Sequence, residues 1–181
     1  VFNILDEEVE DFSGKVKIDM ENIEGKIDFS HVKFGYVEEK TVLSDFSVSV
    51  RSGHKIALVG ATGSGKTTIV NLLLRFYDIN SGSIKIDGVD IFDISKEDLR
   101  NLISIVLQDP VLFKDTIENN VRYGKLDATD EEIDAALEFA NCYSFINKLP
   151  LGKQTLLTEG ATNISLGQRQ LITIARAVLA N

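Results

Sequence analysis

The feature that most constrains the fold of this chain is a glycine-rich octapeptide that matches the pattern G-x-x-x-x-G-K-[ST], Gly60-Ala61-Thr62-Gly63-Ser64-Gly65-Lys66-Thr67. A short unbroken apolar run, 55–59, precedes it and predicts a strand that is covered on both faces. The apolar spacing over 67–76 predicts a mostly buried helix directly after it. A strand, a glycine loop and a helix in this order are typical of the phosphate-binding turn of an α/β fold.

The residue types in this loop suit a phosphate chain. Backbone N–H groups can wrap phosphates only where small side chains permit left-handed turns, and the helix N-terminus that follows favours an anion. We expect Lys66 to reach the β- and γ-phosphates and the Thr67 hydroxyl to complete a Mg²⁺ coordination sphere. The alternative, a glycine-rich turn that matches a short pattern, is disfavoured by the flanking strand and helix. The glycine order is not G-x-G-x-x-G, which disfavours a dinucleotide site.

Composition excludes several other classes of function. The 181 residues suffice for one good-sized domain or two small ones. The net charge of -9 argues against a surface devoted to nucleic acid. One cysteine excludes an intrachain disulfide framework, and two histidines leave little material for a histidine metal centre. No stretch approaches the ~20 apolar residues that a membrane-spanning helix needs.

The remaining periodicity separates a mixed first half from a helical second half. Alternation predicts strands within 27–34 and over 46–50, and an Asp-Gly pair predicts a hairpin over 83–91. Ser95 is a plausible helix start, and 103–107 is predicted to be another strand.

Two capping-box patterns mark helices in the second half of the chain. Thr129 with Glu132, and Ser165 with Gln168, have the Ser/Thr-x-x-Glu/Gln spacing in which a cap and its partner satisfy each other's backbone N–H groups. Residues 110–164 therefore look helical, and a further helix follows Ser165.

Several motifs in a fixed order resemble the nucleotide-binding domain of an exporter-type ATP-binding cassette (ABC) transporter, from about residue 27 to the end. Besides the phosphate loop they are Tyr36 in Phe34-Gly35-Tyr36, Gln108 in Leu107-Gln108-Asp109-Pro110, the run Leu112-Phe113…Thr116-Ile117…Asn119…Tyr123-Gly124, and Ile164-Ser165-Leu166-Gly167-Gln168-Arg169-Gln170. The resemblance implies an α/β fold: a P-loop NTPase core with a small antiparallel β portion and a helical subdomain. It implies a linker from a preceding transmembrane domain (1–25), the N-terminal part of the ATP-binding core (26–109), a helical subdomain (110–164) and a signature helix leading back to the core (165–181).

The resemblance also implies the ligands, ATP and Mg²⁺, and the residues that bind them. The implied nucleotide-binding residues are Tyr36, Gly60, Thr62, Gly63, Ser64, Gly65, Lys66, Thr67, Thr68, Gln108, Ser165, Gly167 and Gln168. The implied catalytic residues are Lys66, Gln108 and Ser165, and the implied metal ligands are Thr67 and Gln108. Tyr36 would stack on adenine, where the alternative is an ordinary tyrosine near a strand end. Gln108 would touch Mg²⁺ or the attacking water, where the alternative is a turn glutamine.

By the same resemblance, Ser165, Gly167 and Gln168 would face the γ-phosphate of ATP held by a second subunit. The alternative is an ordinary capped helix. The sequence departs from Leu-Ser-Gly-Gly-Gln in having Leu166 for the first glycine, which puts activity at that site in doubt. Glu159 resembles a loop residue that contacts the transporter's coupling helices, and a solvated glutamate is nearly as good an interpretation.

The resemblance implies two partners, a second nucleotide-binding domain and a transmembrane domain, and a place on the cytoplasmic face of a membrane. The family's next elements, a strand ending in Asp-Glu and a later histidine, are not reached by Asn181. We therefore expect this chain to bind nucleotide and hydrolyse it poorly, and the longer protein to be the ATP hydrolase. Leu166 leaves a catalytically silent subunit of a heterodimer as one alternative. A soluble ABC ATPase of chromosome maintenance is another, against which the acidic charge and the match at 112–124 argue.

Overall fold

The computed structural model describes residues 10–19, 22–37 and 39–180. The chain divides into two compact units, one that ends at Ile103 and one that begins at Ser104. Of the predicted linker, residues 1–9 and 20–21 lie outside the described residues. No helix within the described ranges is both long enough and apolar enough to cross a membrane.

A four-stranded antiparallel sheet forms the frame of the first unit. Its strands are β1 (Ile27–Phe34), β2 (Leu43–Val50), β3 (Ser81–Ile86) and β4 (Val89–Asp90), in the order β2-β1-β3-β4. Two register shifts interrupt the β1–β2 pairing. The Asp-Gly pair turns the β3–β4 hairpin with both residues at positive φ, 48° and 83°, which is the geometry of a two-residue hairpin loop.

Two helices pack on this sheet. Helix α1 (Lys66–Leu73) follows the glycine loop, and helix α2 (Lys96–Asn101) is capped by Ser95, whose hydroxyl accepts the N–H of Asp98. Leu72 and Leu99 are fully buried among strand residues such as Ile84. The prediction of a helix up to residue 76 was too long, because the backbone turns to a positive φ of 51° at Arg75.

The two predicted strands 55–59 and 103–107 are wrong for the described structure. Neither segment joins the sheet, and Ile56, Leu58 and Val59 are 54%, 40% and 93% exposed. A strand exists only through hydrogen bonds to a neighbouring strand, and the described residues supply no neighbour for these runs. Both runs are apolar, as strands often are, but the sequence does not show which neighbouring strand either run would pair with.

The second unit is helical. Its α-helices are α3 (Ile117–Arg122), α4 (Asp130–Phe139), α5 (Tyr143–Ile146) and α6 (Leu166–Leu179), with short 3₁₀ turns at Gly152–Gln154 and Glu159–Ala161. Both predicted capping boxes form, at the start of α4 and at the start of α6. Helix α6 packs against α3 and α4 and contributes its buried side chains to one continuous core.

Candidate functional site

The phosphate loop of the first unit has the backbone shape that its glycines predict. Gly63 and Gly65 lie at φ values of 83° and 88°, a region that side chains other than glycine rarely adopt. Between them the Ser64 N–H donates to the Ala61 carbonyl at 3.1 Å. Gly65 is also the N-cap of α1. The loop therefore turns directly into a helix N-terminus, which favours an anion.

Lys66 folds back over this loop. Its ammonium donates to the carbonyls of Gly60 and Ala61 at 2.8 Å each, and it lies 3.5 Å from the Ser64 hydroxyl. These acceptors carry no formal charge, so a negatively charged phosphate oxygen can replace them with a stronger hydrogen bond between opposite charges. The structure thus places the predicted lysine at the loop, held by contacts that an anion can exchange.

The two threonines that follow the lysine have different surroundings. Thr67 is exposed in the first turn of α1, so its hydroxyl is accessible to a cation. Thr68 is 5% exposed, and its hydroxyl lies 3.1 Å from the Tyr36 hydroxyl. A single hydroxyl ligand suits Mg²⁺, which usually keeps several waters and takes phosphate oxygens as its other ligands. No group of three or more His, Cys, Asp or Glu suited to a metal occurs within the described ranges.

Tyr36 lies just past β1 and belongs to an aromatic cluster. Its ring stands at 4.9 Å from the ring of Phe34 and at 4.9 Å from that of Tyr77, nearly perpendicular to both. Phe34 is buried, whereas Tyr36 remains 49% exposed. The first unit therefore holds a half-exposed aromatic ring that is linked by a hydrogen bond to the helix of the phosphate loop.

The signature segment of the second unit forms the N-terminus of α6. The Ser165 hydroxyl accepts the N–H of Gln168 at 3.3 Å, and the Gln168 side-chain oxygen accepts the N–H of Ser165 at 2.9 Å. Leu166, the departure from the motif, is 51% exposed. A Cβ atom built on Gly167 would meet no atom within 4 Å. Packing among the residues that the structure describes therefore gives no reason for glycine at this position.

Gln108, the other predicted catalytic residue, lies in an exposed segment of the second unit. Its carbonyl oxygen is 3.5 Å from the side-chain nitrogen of Gln170 on α6. Glu159 is exposed in a 3₁₀ turn, and the next carbonyl, that of Gly160, accepts a hydrogen bond from Arg169 at 3.3 Å. The second unit thus gathers Gln108, Glu159 and the signature residues around α6.

A cation–aromatic cluster also lies against α6. The Arg176 guanidinium stands 5.6 Å from the ring centres of both Phe113 and Tyr123. It donates to the carbonyls of Asn120 at 2.8 Å and Val111 at 3.0 Å. Burial lowers the pKa of Arg176, because a low dielectric disfavours the charged form.

The sequence did not predict the contacts of Phe113, Tyr123 and Tyr36. The resemblance includes Phe113 and Tyr123 without giving them a role, and it does not connect Tyr36 with Tyr77 or with the Thr68 hydroxyl. The aromatic pair Phe76-Tyr77 after an apolar helix was the available sequence signal for the contact between Tyr36 and Tyr77. Whether Tyr77 reaches the Tyr36 ring depends on the turn at Arg75, and the apolar pattern of 67–76 does not predict that turn.

The chain is similar in sequence to known proteins. The family model described as "ABC transporter" matches residues 43–181. An uncharacterized ABC transporter ATP-binding protein of Bacillus subtilis is 48% identical over 100% of this chain, which covers 30% of that protein. A fatty acid ABC transporter ATP-binding/permease protein of Mycobacterium tuberculosis is 47% identical over 99% of this chain and 28% of its own length.

A solved structure shares the fold. The structure of a bacterial Atm1-family ABC exporter with ATP bound is similar with a TM-score of 0.89 and 39% identity, over 99% of this chain and 32% of that one. The chain thus spans under a third of the length of these relatives. The match to the family model extends over most of the sequence and includes the phosphate loop and the signature segment. This chain belongs to the ABC transporter family.

Proposed function

We propose that this chain is the nucleotide-binding domain of an ABC exporter, in which Mg-ATP binding joins two such domains and hydrolysis separates them. The observation that carries the proposal is the phosphate loop, in which two left-handed glycines place Lys66 at the N-terminus of α1. Backbone N–H groups, a helix N-terminus and an exchangeable ammonium together suit a triphosphate.

The predicted residues of the nucleotide site have distinct roles in this proposal. Lys66 binds the β- and γ-phosphates, and Tyr36 stacks on the adenine. The backbone of the loop wraps the phosphates, which accounts for Gly60, Thr62, Gly63, Ser64 and Gly65. Thr67 and Gln108 would each offer an oxygen ligand to Mg²⁺, and the bound ion would supply positive charge that offsets the charge developing during phosphoryl transfer. Gln108 would also orient the attacking water.

The signature residues would act on the nucleotide of a second domain. Helix α6 starts with a capped and exposed N-terminus, at which Ser165 and Gln168 are already fixed by the capping box. Gly167 lowers helix stability, and no contact with residues 10–19, 22–37 or 39–180 requires a glycine there. A phosphate that approaches from a partner domain explains why a side chain is absent there.

A transmembrane domain is the second proposed partner, which places the chain on the cytoplasmic face of a membrane. The name of one relative joins an ATP-binding part to a permease. In this chain Phe113 and Tyr123 remain 45% and 59% exposed although both rings contact Arg176. Large exposed aromatic side chains that are held in place are common at protein interfaces.

A catalytically silent subunit of a heterodimer is the second candidate function. Leu166 favours it, because a 51% exposed leucine stands at the first helical position of α6 where a glycine is expected. ATP turnover by an assembled dimer, measured with the signature segment of each subunit altered in turn, separates an active from a silent subunit.

The direct test of nucleotide binding is a thermal melt of the chain with and without millimolar Mg-ATP. A ligand that binds only the folded state stabilises it by about 2.7 kcal/mol at a hundredfold excess over Kd. We expect an upward shift that Lys66→Ala abolishes. The matched control Lys85→Ala, at an exposed lysine of β3, should keep the shift. A cooperative melt that Mg-ATP leaves unmoved would contradict the proposal.

A further inference from the structure

The ring of Tyr36 is attached to helix α1 near both ends of that helix. Near the start, its hydroxyl is 3.1 Å from the Thr68 hydroxyl, in the first turn. Beyond the end, its ring meets that of Tyr77 at 4.9 Å with an interplanar angle of 89°. Tyr36 therefore lies alongside α1, the helix that begins at the phosphate loop.

The backbone around Tyr36 is tied to the segment that follows α1. The side-chain oxygen of Asn80 accepts the N–H of Gly35 at 2.9 Å, and the Asn80 N–H donates to the carbonyl of Lys33 at 2.9 Å. A Cβ on Gly35 would stand 2.4 Å from the carbonyl oxygen of Lys40, so the chain closes tightly on itself here. These contacts leave the Tyr36 backbone little freedom to move relative to Tyr77.

The Thr68 hydroxyl forms a hydrogen bond with the Tyr36 hydroxyl. Thr68 is 5% exposed, and the family resemblance implies that it is a nucleotide-binding residue. The hydrogen bond at 3.1 Å instead gives its hydroxyl the Tyr36 ring as a partner. A buried hydroxyl that lost this partner would be left unsatisfied, which is costly, so the bond holds the ring in one place.

We propose that Thr68 and Tyr77 are positioning residues that fix the Tyr36 ring relative to the phosphate loop, so that the chain binds phosphates and base across one rigid span. This inference rests on the proposed nucleotide-binding function. A ring that is already immobilised loses less freedom when a base stacks on it, and the affinity gained from the base is correspondingly larger. The phosphates alone gain nothing from the position of the ring.

The test separates the contribution of the base from that of the phosphates. Calorimetric titration with Mg-ATP and with Mg-tripolyphosphate gives two dissociation constants, and their ratio measures what the nucleoside adds. We expect Thr68→Val and Tyr77→Leu each to lower this ratio by about two- to tenfold, as for the loss of one hydrogen bond or one aromatic contact. The conservative variants Thr68→Ser and Tyr77→Phe should keep it.

A pair of variants keeps the test decisive if Tyr77→Leu does not fold. Tyr36→Phe retains the ring and loses the hydroxyl, so it should lower the ratio as Thr68→Val does. The double variant Tyr36→Phe/Thr68→Val should then lower the ratio no further than either single variant, because both substitutions remove the same hydrogen bond. Circular dichroism melts identify the variants that remain folded.

The outcomes also separate this inference from the function on which it rests. If folded Thr68→Val weakens ATP and tripolyphosphate equally, the threonine acts on the phosphates and the inference is wrong. An unchanged ratio in folded Tyr77→Leu would refute the role of Tyr77. A wild-type chain that binds neither ligand contradicts the proposed function, whereas equal affinity for both contradicts stacking on Tyr36.

Discussion

Replacing Gly167 by alanine should make the fold more stable and the protein less active. The residue has helical backbone within α6, and a Cβ there would meet no atom within 4 Å. Alanine therefore adds no clash and removes the conformational entropy that glycine loses when a helix forms. In the proposed function the added methyl group lies where the phosphate of a partner's nucleotide must approach.

The magnitude follows from the position in the helix. In a helix interior, glycine is less favourable than alanine by about 0.8–1.0 kcal/mol. Gly167 stands in the first turn, where fewer intrahelical hydrogen bonds depend on it, so we expect a gain of ~0.5 kcal/mol. For a chain of 150–250 residues this corresponds to a rise in Tm of about 1–2 °C.

A matched glycine gives the opposite result. A Cβ on Gly124 would lie 2.3 Å from the carbonyl oxygen of Arg176 on the backbone of α6, so Gly124→Ala must push a helix away from its neighbour. Overpacking of this kind typically costs about 1–3 kcal/mol. Urea unfolding followed by circular dichroism measures both variants. Light scattering with and without Mg-ATP then measures self-association, which Gly167→Ala should weaken. A destabilised Gly167→Ala, or one that associates like the wild type, would refute the reasoning.

Three further predictions concern a cap, a carboxylate and a thiol. Ser165→Ala and Thr129→Ala each remove the hydroxyl of a capping box and should cost about 0.5–2 kcal/mol in urea unfolding, but only Ser165→Ala should also weaken ATP-dependent association. Hydrogen bonds from Arg100 and a neighbouring lysine lower the pKa of Glu10 from 4.5 to about 2. Its stabilisation is therefore complete above pH 4.5 and is lost as the pH falls toward 2, so the melting temperatures of wild type and Glu10→Gln should converge over that range. Cys142 is fully buried and desolvation raises its pKa to about 12, so it should resist iodoacetamide at neutral pH until denaturant unfolds the second unit.

The parts of the structure that sequence predicted well depend on neighbours in the chain. The glycine loop, the Asp-Gly hairpin and both capping boxes involve residues within a few positions of one another. A left-handed glycine or a cap forms because of local backbone sterics and local hydrogen bonds, so the pattern of residue types contains the whole cause.

The parts that it did not predict depend on distant residues. The apolar runs 55–59 and 103–107 have the composition of strands, but a ladder of hydrogen bonds requires a partner that composition does not specify. The contact between Tyr36 and Tyr77 likewise joins two segments on either side of α1, and it depends on the turn at Arg75. Each residue was visible in the sequence, whereas the pairing was not.

Arg176 shows how much of a site can depend on contacts between residues that are far apart in the sequence. The sequence of α6 does not show what the side chain of Arg176 contacts. In the structure its guanidinium meets backbone carbonyls, the side-chain oxygen of Asn120 and two aromatic rings. The carbonyls carry no charge, so the guanidinium is held by oriented dipoles and by the faces of Phe113 and Tyr123. Since that arrangement fixes both rings at the surface, a change at Arg176 should act on whatever partner those rings contact.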